Sequence, residues 1–336
     1  MNPCNTDSRT EDASTVHGPH GRVSTSVEGL EDFSNRPLQF RCTYCMPREH
    51  FGTDHAFLPR DELLTYEEIA FVVESLMECG LQKVRLTGGE PLLRRNMTEL
   101  VALLRQVGPG LDIAMTTNGA LLKNHAAALF KAGLDRVTVS IDAVETSTFQ
   151  AMADTDQVDP QAIFDGVDEA LRVGLNVKVN AVVRRGVNED QILPLAHICN
   201  DRGVPLRFIE YMDVGNTNAW KLDEVVSGAD IRRMLETEFG PLEPSSPKER
   251  SEVARRYTLP SGYEFGFIES VTNPFCGDCS RARLSANGSI YTCLFSSSGN
   301  DVKGLLRLGA GKSDLQTAIR SIWEKRTDRY SMERSE

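Results

Sequence analysis

Five of the chain's eight cysteines fall into two groups whose spacing is that of metal ligands. Cys42 and Cys45 stand in FRCTYCMP, and Cys276, Cys279 and Cys293 form a C-x2-C-x13-C pattern that begins FCGDC. Thiolates suit iron–sulfur clusters and zinc alike. The second group offers three thiolates and no local fourth ligand, since the last of the six histidines is His197, far upstream. A cluster held by three thiolates keeps one iron open for a ligand, and a structural zinc completed by a remote ligand is the alternative. In the first group an aromatic residue, Tyr44, precedes the second cysteine. A C-x3-C-x2-C loop there would hold a 4Fe–4S cluster with an open iron, but four residues before Cys42 stands Leu38, which cannot ligate. Cys4 is the only other cysteine before Cys42, and nothing around it marks a ligand. Cys79 and Cys199 lie in helical patterns without neighbouring cysteines and read as small buried hydrophobes.

The elements that must position these groups alternate regularly. Strands are expected at 83–89, 112–118, 136–142, 176–183 and 205–212, with helices at 95–106, 121–132, 160–173 and 189–201 between and after them. Short β-branched runs separated by amphipathic helices are the signature of βαβ units and a parallel sheet. Several strands end on polar or small residues: Gly88, Gly89 and Glu90, then Thr116, Thr117 and Asn118, then Ser140 and Asp142, then Glu210. In a parallel barrel the carboxyl ends of the strands form the mouth where ligands sit. Residues 1–36 are rich in Ser, Thr, Asp, Glu and Gly and poor in aromatics, and read as a disordered tail. Residues 37–225 read as the barrel, and 226–336 as an extension able to cap one of its ends, with a helix at 228–239, a hairpin around PSG and a helical tail at 313–325.

Composition bounds the function. The 336 residues are 40% apolar and 25% charged, enough for a large α/β unit with an extension. A net charge of -11 leaves no basic excess to neutralise nucleic-acid phosphates, although a local basic pocket for a small anion is compatible with it. No apolar run has the length that a bilayer demands, and no export signal opens the chain, so it reads as soluble and cytoplasmic.

FRCTYCMP, LTGGEPLLRR, MTTNGALL, VTVSIDA, NVKVNAVV, RFIEYMDVGNTN and FCGDCSRARLS resemble, in order and spacing, the GTP 3′,8-cyclase family of radical S-adenosylmethionine enzymes, from about residue 40 to 336. The resemblance implies a partial parallel (β/α)6-type barrel with a C-terminal α+β extension, two 4Fe–4S clusters and S-adenosyl-L-methionine as cofactor. It implies conversion of GTP to (8S)-3′,8-cyclo-7,8-dihydroguanosine 5′-triphosphate, a lyase reaction that is the first step of molybdenum cofactor biosynthesis. Cys42 and Cys45 then fall on ligands of the first cluster, and Cys276, Cys279 and Cys293 on those of the second. Tyr44, Gly88, Gly89, Glu90, Pro91, Asn118, Ser140 and Met212 fall on cofactor-lining positions. Arg85, Thr116, Lys178, Arg281 and Arg283 fall on GTP-contacting positions, and no residue is assigned a catalytic role. Arginine forks suit phosphate oxygens, and Arg85 and Lys178 lie inside apolar strands, where a charge needs a partner or ligand. The implied partner is the next enzyme, cyclic pyranopterin monophosphate synthase, by substrate handover, and a homodimer is compatible with the family.

The chain departs from the family pattern at its ends. Asp32-Phe33-Ser34-Asn35-Arg36 runs almost directly into the cysteine loop, which predicts that the first strand is missing together with the first cluster cysteine, at Leu38. The family's C-terminal Gly-Gly is absent, the sequence ending RYSMERSE. The alternative to an active cyclase is therefore a catalytically impaired paralogue or a defective gene model that retains nucleotide binding.

Overall fold

The computed structural model describes residues 24–27, 40–45, 59–213, 220–248, 251–296 and 298–333. Cys4 and Leu38 lie outside the described residues. The parallel series is β2 (Lys83–Leu86), β3 (Asp112–Thr117), β4 (Arg136–Ser140), β5 (Asn176–Val183) and β6 (Leu206–Glu210), each paired with the next. The helices α1 (Tyr66–Met77), α2 (Met97–Val107), α3 (Leu122–Ala132), α4 (Thr146–Ala153), α5 (Pro160–Val173) and α6 (Ile192–Asp201) precede and connect these strands. Each starts or stops on local chemistry. Thr65 and Glu68 form a capping box on α1. Asp159 caps α5 ahead of Pro160 at its first turn, and Gly174 closes it in the left-handed region. In the turn before α3, Gly119 has φ +80°, and a Cβ there would sit 2.6 Å from Ile163 Cγ2 of α5, so the two helices meet only over glycine.

The first strand is present. Ser24–Val27 forms β1, parallel to β2 on one side and to β10 (Arg281–Leu284) on the other. The expectation that this strand is missing, and that residues 1–36 are all tail, is corrected for these four residues. Ser-Thr-Ser-Val carries no apolar run of its own, and both of its edges are satisfied by neighbours distant in sequence, so its pairing is set by tertiary context rather than by local propensity. The C-terminal region does not cap an end of the barrel as expected. After α7 (Gly228–Phe239), β7 (Glu243–Pro244), β8 (Arg255–Thr258) and β9 (Glu264–Ile268) extend the sheet beyond β6, while β10, β11 (Ser289–Tyr291) and β12 (Asn300–Asp301) extend it beyond β1. The sheet runs β12-β11-β10-β1-β2-β3-β4-β5-β6-β9-β8-β7 and stays open. Three helices close the chain: α8 (Lys303–Arg307), α9 (Lys312–Glu324) and α10 (Tyr330–Glu333). The first two strap back onto α1, through Arg307 on Glu68 and Lys312 on Glu74 at 2.7 Å.

The two faces of the sheet differ. Val84, Leu86, Val177, Val179, Ala181 and Val183 turn to the helices and join one apolar core with Ile69, Leu100 and Ile163. The alternate residues on the opposite face are Lys83, Arg85, Thr116, Arg136, Thr138, Ser140, Lys178, Asn180 and Arg207. A parallel sheet buried on both faces reads as continuous apolar strands. Here one face is built of polar and cationic groups, the composition of a ligand site rather than a packed core. Glu210 ties the extension to this sheet: it is 1% exposed and accepts from the N–H groups of Gly228, Val271 and Thr272 and from the Thr272 hydroxyl. Cys199 is buried in α6 as expected, its thiol pushed up to about 12 by burial, whereas Cys79 is only partly buried and lies just past the end of α1 rather than within a helix. Among the described residues no helix is long and apolar enough to cross a membrane.

Candidate functional site

The inner face of β2 to β6 gathers the cations. Arg85 donates to the Thr116 hydroxyl at 2.8 Å and to the Thr138 hydroxyl at 3.3 Å. Arg207 reaches the same Thr138 oxygen at 3.4 Å. Thr138 and Lys178 are paired in register, as are Asn180 and Arg207. Burial, and then the Arg136 charge, brings Arg85 down to about 10. Burial and the Arg85 charge do the same to Arg207, also to about 10. Lys178 falls to about 8, through burial first and then the charges of Arg207 and Arg136. Arg136 is ion-paired to Asp112, to which Lys83 also approaches at 3.8 Å, so charges at the lower end of the face are neutralised. No carboxylate of the described residues lies within 4 Å of Arg85, Lys178 or Arg207. The Arg207 Nε is buried without a hydrogen-bond partner among the described residues. Arg281 and Arg283 enter from β10, across β1: Ser26 is in register with Arg85 on one side and Arg283 on the other.

At the carboxyl ends of the strands, Glu90 is 3% exposed and caps the turn Pro91–Leu93. One of its oxygens accepts from Leu92 N–H at 2.9 Å and Thr117 Oγ1 at 2.8 Å, the other from Asn118 N–H at 2.7 Å. Burial raises its carboxyl to about 7 against these bonds. Glu90 therefore locks the Gly88–Gly89 turn to the end of β3, where Asn118 Oδ1 accepts in turn from Ala120 N–H. Ser140 ends β4, and Met212 follows β6.

The first cysteine loop is docked on α4, an element that the sequence pattern did not reveal. Arg41 and Thr43 N–H groups donate to the Ala153 and Met152 carbonyls, and Phe40 meets Phe149 edge-on at 5.6 Å. Cys45 N–H closes the turn onto the Cys42 carbonyl at 2.9 Å. The Tyr44 hydroxyl donates to Asp142 at 2.7 Å, whose other oxygen accepts from Val182 N–H. Burial raises Asp142 to about 6 and pushes the Cys42 thiol and Tyr44 phenol above their ordinary ranges.

The second cysteine group sits at the other edge. Cys276–Asp278 forms one turn before β10. Arg281 donates two hydrogen bonds to Cys279 Sγ, at 3.2 and 3.1 Å, and lies over the Phe275 ring. Burial alone would raise the Cys279 thiol, but the Arg281 charge and hydrogen bonds outweigh it and bring it down to about 7. Among the described residues no three Cys, His, Asp or Glu side chains converge on one point as a single metal ion requires. A thiol brought down toward neutral pH suits a cluster ligand, and Cys276 shares its turn. The first loop contributes two thiols and a docked turn. It fits a 4Fe–4S cluster only in part, since the third position of the spacing is Leu38.

The structure thus brings Arg85 to Thr116, Glu90 to Asn118, Tyr44 to Asp142 and Arg281 to Cys279. Sequence reasoning missed Arg207, Thr138 and Asn180. Arg207 carries the signal that marked Arg85 and Lys178, a cation inside an apolar strand, here PLRFIEYM. Thr138 and Asn180 are uncharged, and only the strand register reveals which face they occupy.

Comparison with known proteins agrees with this architecture. The Radical SAM superfamily profile matches residues 39–199, and the Molybdenum Cofactor Synthesis C profile matches 204–332. A GTP 3′,8-cyclase of Staphylococcus haemolyticus (strain JCSC1435) is 46% identical over 323 residues, covering 92% of this chain and 94% of that protein. A GTP 3′,8-cyclase of Staphylococcus aureus (strain bovine RF122 / ET3-1) is 42% identical over 322 residues with the same coverage. In fold, the chain is similar to Streptococcus suis SuiB bound to S-adenosylmethionine, with a TM-score of 0.61, 15% identity, and coverage of 89% of this chain and 68% of that one. It is also similar to anSMEcpe with bound AdoMet and a peptide, with a TM-score of 0.53, 15% identity, and coverage of 88% and 82%. With that identity over nearly its whole length, two contiguous profiles and a parallel half-barrel carrying both cysteine groups, the chain belongs to the GTP 3′,8-cyclase family within the Radical SAM superfamily.

Proposed function

We propose that the chain binds GTP on the inner face of its sheet and S-adenosylmethionine at the strand ends, and acts as a GTP 3′,8-cyclase in molybdenum cofactor biosynthesis. One observation carries the reading: Arg85, Lys178 and Arg207 converge from three strands with no carboxylate within 4 Å among the described residues. Buried like charges repel and weaken a fold unless a counter-charge arrives, and a nucleoside triphosphate brings one with the oxygen geometry that guanidinium forks match. Thr116 and Thr138 hold Arg85 forward, and Arg281 and Arg283 extend the cationic wall toward the second cysteine group.

The chain's own residues divide the work between positioning and shielding. Gly88, Gly89, Glu90 and Pro91 shape a turn that the resemblance assigns to the cofactor, as it does Asn118, Ser140 and Met212. Tyr44, fixed by Asp142, presents the cysteine loop to that mouth. Cys276, Cys279 and Cys293 would hold a second 4Fe–4S cluster next to Arg281. A 4Fe–4S cluster in the first loop supplies the electron for cofactor cleavage in this superfamily, and Cys42 and Cys45 offer it two thiolates. The remaining ligand must come from somewhere other than residue 38. Handover of product to cyclic pyranopterin monophosphate synthase, assembly as a homodimer and a cytoplasmic location follow from the family reading.

The test is GTP binding by calorimetry on the purified protein, followed by anaerobic reconstitution and detection of 5′-deoxyadenosine formed with GTP present. Binding that vanishes in Lys178→Ala and Arg207→Ala, together with GTP-dependent cofactor cleavage, supports the reading. Binding without cleavage removes the radical half and leaves a nucleotide-binding protein. Absence of GTP binding overturns both halves.

A further inference from the structure

The segment that follows α9 braces the second cysteine group and then reaches past it. The Arg326 guanidinium donates to the Cys279 carbonyl, and the Thr292 hydroxyl, beside Cys293, donates to Asp328. The Tyr330 ring stacks on Phe295 at 4.2 Å, and α10 packs on the Cys276–Asp278 turn. The Tyr330 hydroxyl leaves this group altogether and donates to Asp213 at 2.5 Å. Asp213 is 9% exposed and directly follows Met212, just beyond the carboxyl end of β6.

That last bond crosses the open side of the sheet. The Cys276–Asp278 turn precedes β10, which runs parallel to β1 and β2, so the second cysteine group begins at the amino ends of these strands. Met212 and Asp213 stand at the carboxyl ends. Six strands separate β11 from β6, roughly 34 Å along a flat sheet at ~4.8 Å per strand. One tyrosine touches the segments that follow both, so the sheet bends until a single side chain spans the gap. The core gains little from it: α10 is one turn with no buried residue, too short to hold itself together. A bond that adds little burial yet fixes the neighbour of a cofactor-lining residue stands where a positioning group is needed. We propose that Tyr330 is a positioning residue for the cofactor. Through Asp213 it sets the backbone of Met212, and through Phe295 it ties that backbone to the segment bearing Cys293. This rests on the assignment of Met212 to S-adenosylmethionine in the reading above. By linkage, a cofactor seated on Met212 steadies residues 326–330 as much as they steady it.

Tyr330→Phe keeps the ring on Phe295 and removes the bond, Asp213→Ala removes the acceptor, and Asp213→Asn keeps an acceptor oxygen. Each is compared with wild type in protein reconstituted anaerobically with an added thiol. The measurements are the Kd of S-adenosylmethionine and of GTP, the Tm, and trypsin cleavage at the exposed Lys325 and Arg329 with and without S-adenosylmethionine. In Tyr330→Phe and Asp213→Ala the Kd of S-adenosylmethionine is expected to rise about 3- to 10-fold, the scale of one hydrogen bond. Combining the two changes should add nothing, because they cut the same link. Asp213→Asn stays near wild type, and GTP affinity and Tm change little. S-adenosylmethionine slows trypsin cleavage in wild type, and Tyr330→Phe loses that protection, a readout that needs no turnover. A lowered Tm with unchanged affinities overturns the proposal, as do equal losses for both ligands or protection that persists in Tyr330→Phe. A wild type that binds no S-adenosylmethionine overturns the cofactor half of the functional reading and this inference with it. Variants that bind it as tightly as wild type overturn this inference alone.

Discussion

Arg85 of β2 and Arg207 of β6 approach a single acceptor, the Thr138 hydroxyl of β4, at 3.3 and 3.4 Å, from opposite sides of the inner face. Both guanidinium groups are pushed down to about 10, by burial first and by like charge next. Two buried cations sharing one neutral oxygen form an arrangement that awaits an anion, and Lys178, one register row from Arg207, adds a third charge.

Lys178→Met keeps the stem and removes the charge. In the free protein this relieves repulsion, so Tm is expected to stay level or rise slightly. The affinity for GTP is expected to fall about 10- to 100-fold, the range for one charge-assisted hydrogen bond of ~1.5–3 kcal/mol. A drop in Tm with unchanged affinity would mean that Lys178 supports the sheet rather than the ligand.

Lys178 also sets a pH dependence. Its pKa is brought down to about 8 from an ordinary 10.5, burial being the main cause. Between these values the unfolded chain holds a proton that the folded protein has released, so stability of the free protein rises with pH across that window. A bound triphosphate restores the charged form. Binding near pH 8 to 9 therefore takes up a proton, and affinity falls as pH rises through 8. Calorimetry of GTP binding in two buffers of different ionisation enthalpy reads the proton directly, and identical heats would contradict this.

How much of this was legible in the sequence depends on where each signal is written. The strands at 176–183 and the helices at 160–173 and 228–239 follow from periodicity and from caps such as Asp159-Pro160, which are local. Thiolate spacing and cations embedded in apolar runs are local too, so both cysteine groups, Arg85 and Lys178 could be found. β1 could not be, because Ser24–Val27 is a strand only by virtue of β2 and β10 on its flanks. The same holds for the C-terminal strands. Their hairpin was visible, but that β9 pairs with β6 and β10 with β1 is a long-range fact, so the extension reads as a cap in sequence and as sheet edges in space. Helix α4 escaped because TSTFQAMA is short and rich in Ser and Thr, and it depends on Glu145 accepting from the Ser147 and Thr148 N–H groups.

Tyr44→Phe tests how the first loop is held. Asp142 is raised to about 6 from 3.8, chiefly by burial, and the Tyr44 hydroxyl works against that rise. For a carboxyl with a raised folded pKa, the cost of holding the charge appears as pH climbs from 3.8 to about 6 and persists above it. Loss of the hydroxyl should therefore cost about 1.5–3 kcal/mol at neutral pH, and the difference from wild type should shrink as pH falls through about 6, where the folded carboxyl takes up its proton. Urea unfolding at pH 4 and pH 7.5 separates the two. An equal deficit at both values would assign the loss to ring packing.

Glu210→Ala addresses the joint between the sheet and the extension. The change leaves the Gly228, Val271 and Thr272 N–H groups without their acceptor. A loss on the order of 3 kcal/mol is expected, together with faster proteolysis of the segment after residue 270. GTP affinity per folded molecule should change little, because Glu210 faces the extension and not Arg207. A variant that unfolds no more easily than wild type would mean that these donors find other partners.

Leu38→Cys is the decisive variant for the radical half. Were the first strand missing, restoring one ligand would not be expected to restore the cluster. With β1 paired between β10 and β2, and the loop anchored on α4 by Arg41, Thr43 and Phe40, the variant adds one thiol to a loop that is already docked. Wild-type protein, reconstituted anaerobically without added thiols, is expected to hold about four irons with matching acid-labile sulfide, at Cys276, Cys279 and Cys293, and to reach about eight and cleave the cofactor when an added thiol supplies the remaining ligand of the first cluster. Leu38→Cys is expected to hold about eight and to show greater absorbance near 400 nm and faster cofactor cleavage. A wild type that already holds about eight irons and keeps them after Cys4→Ser would show that a ligand from outside the chain completes the first cluster. If it loses about four of them on that change, the N-terminal cysteine reaches the loop, at the modest closure cost expected of a long flexible segment.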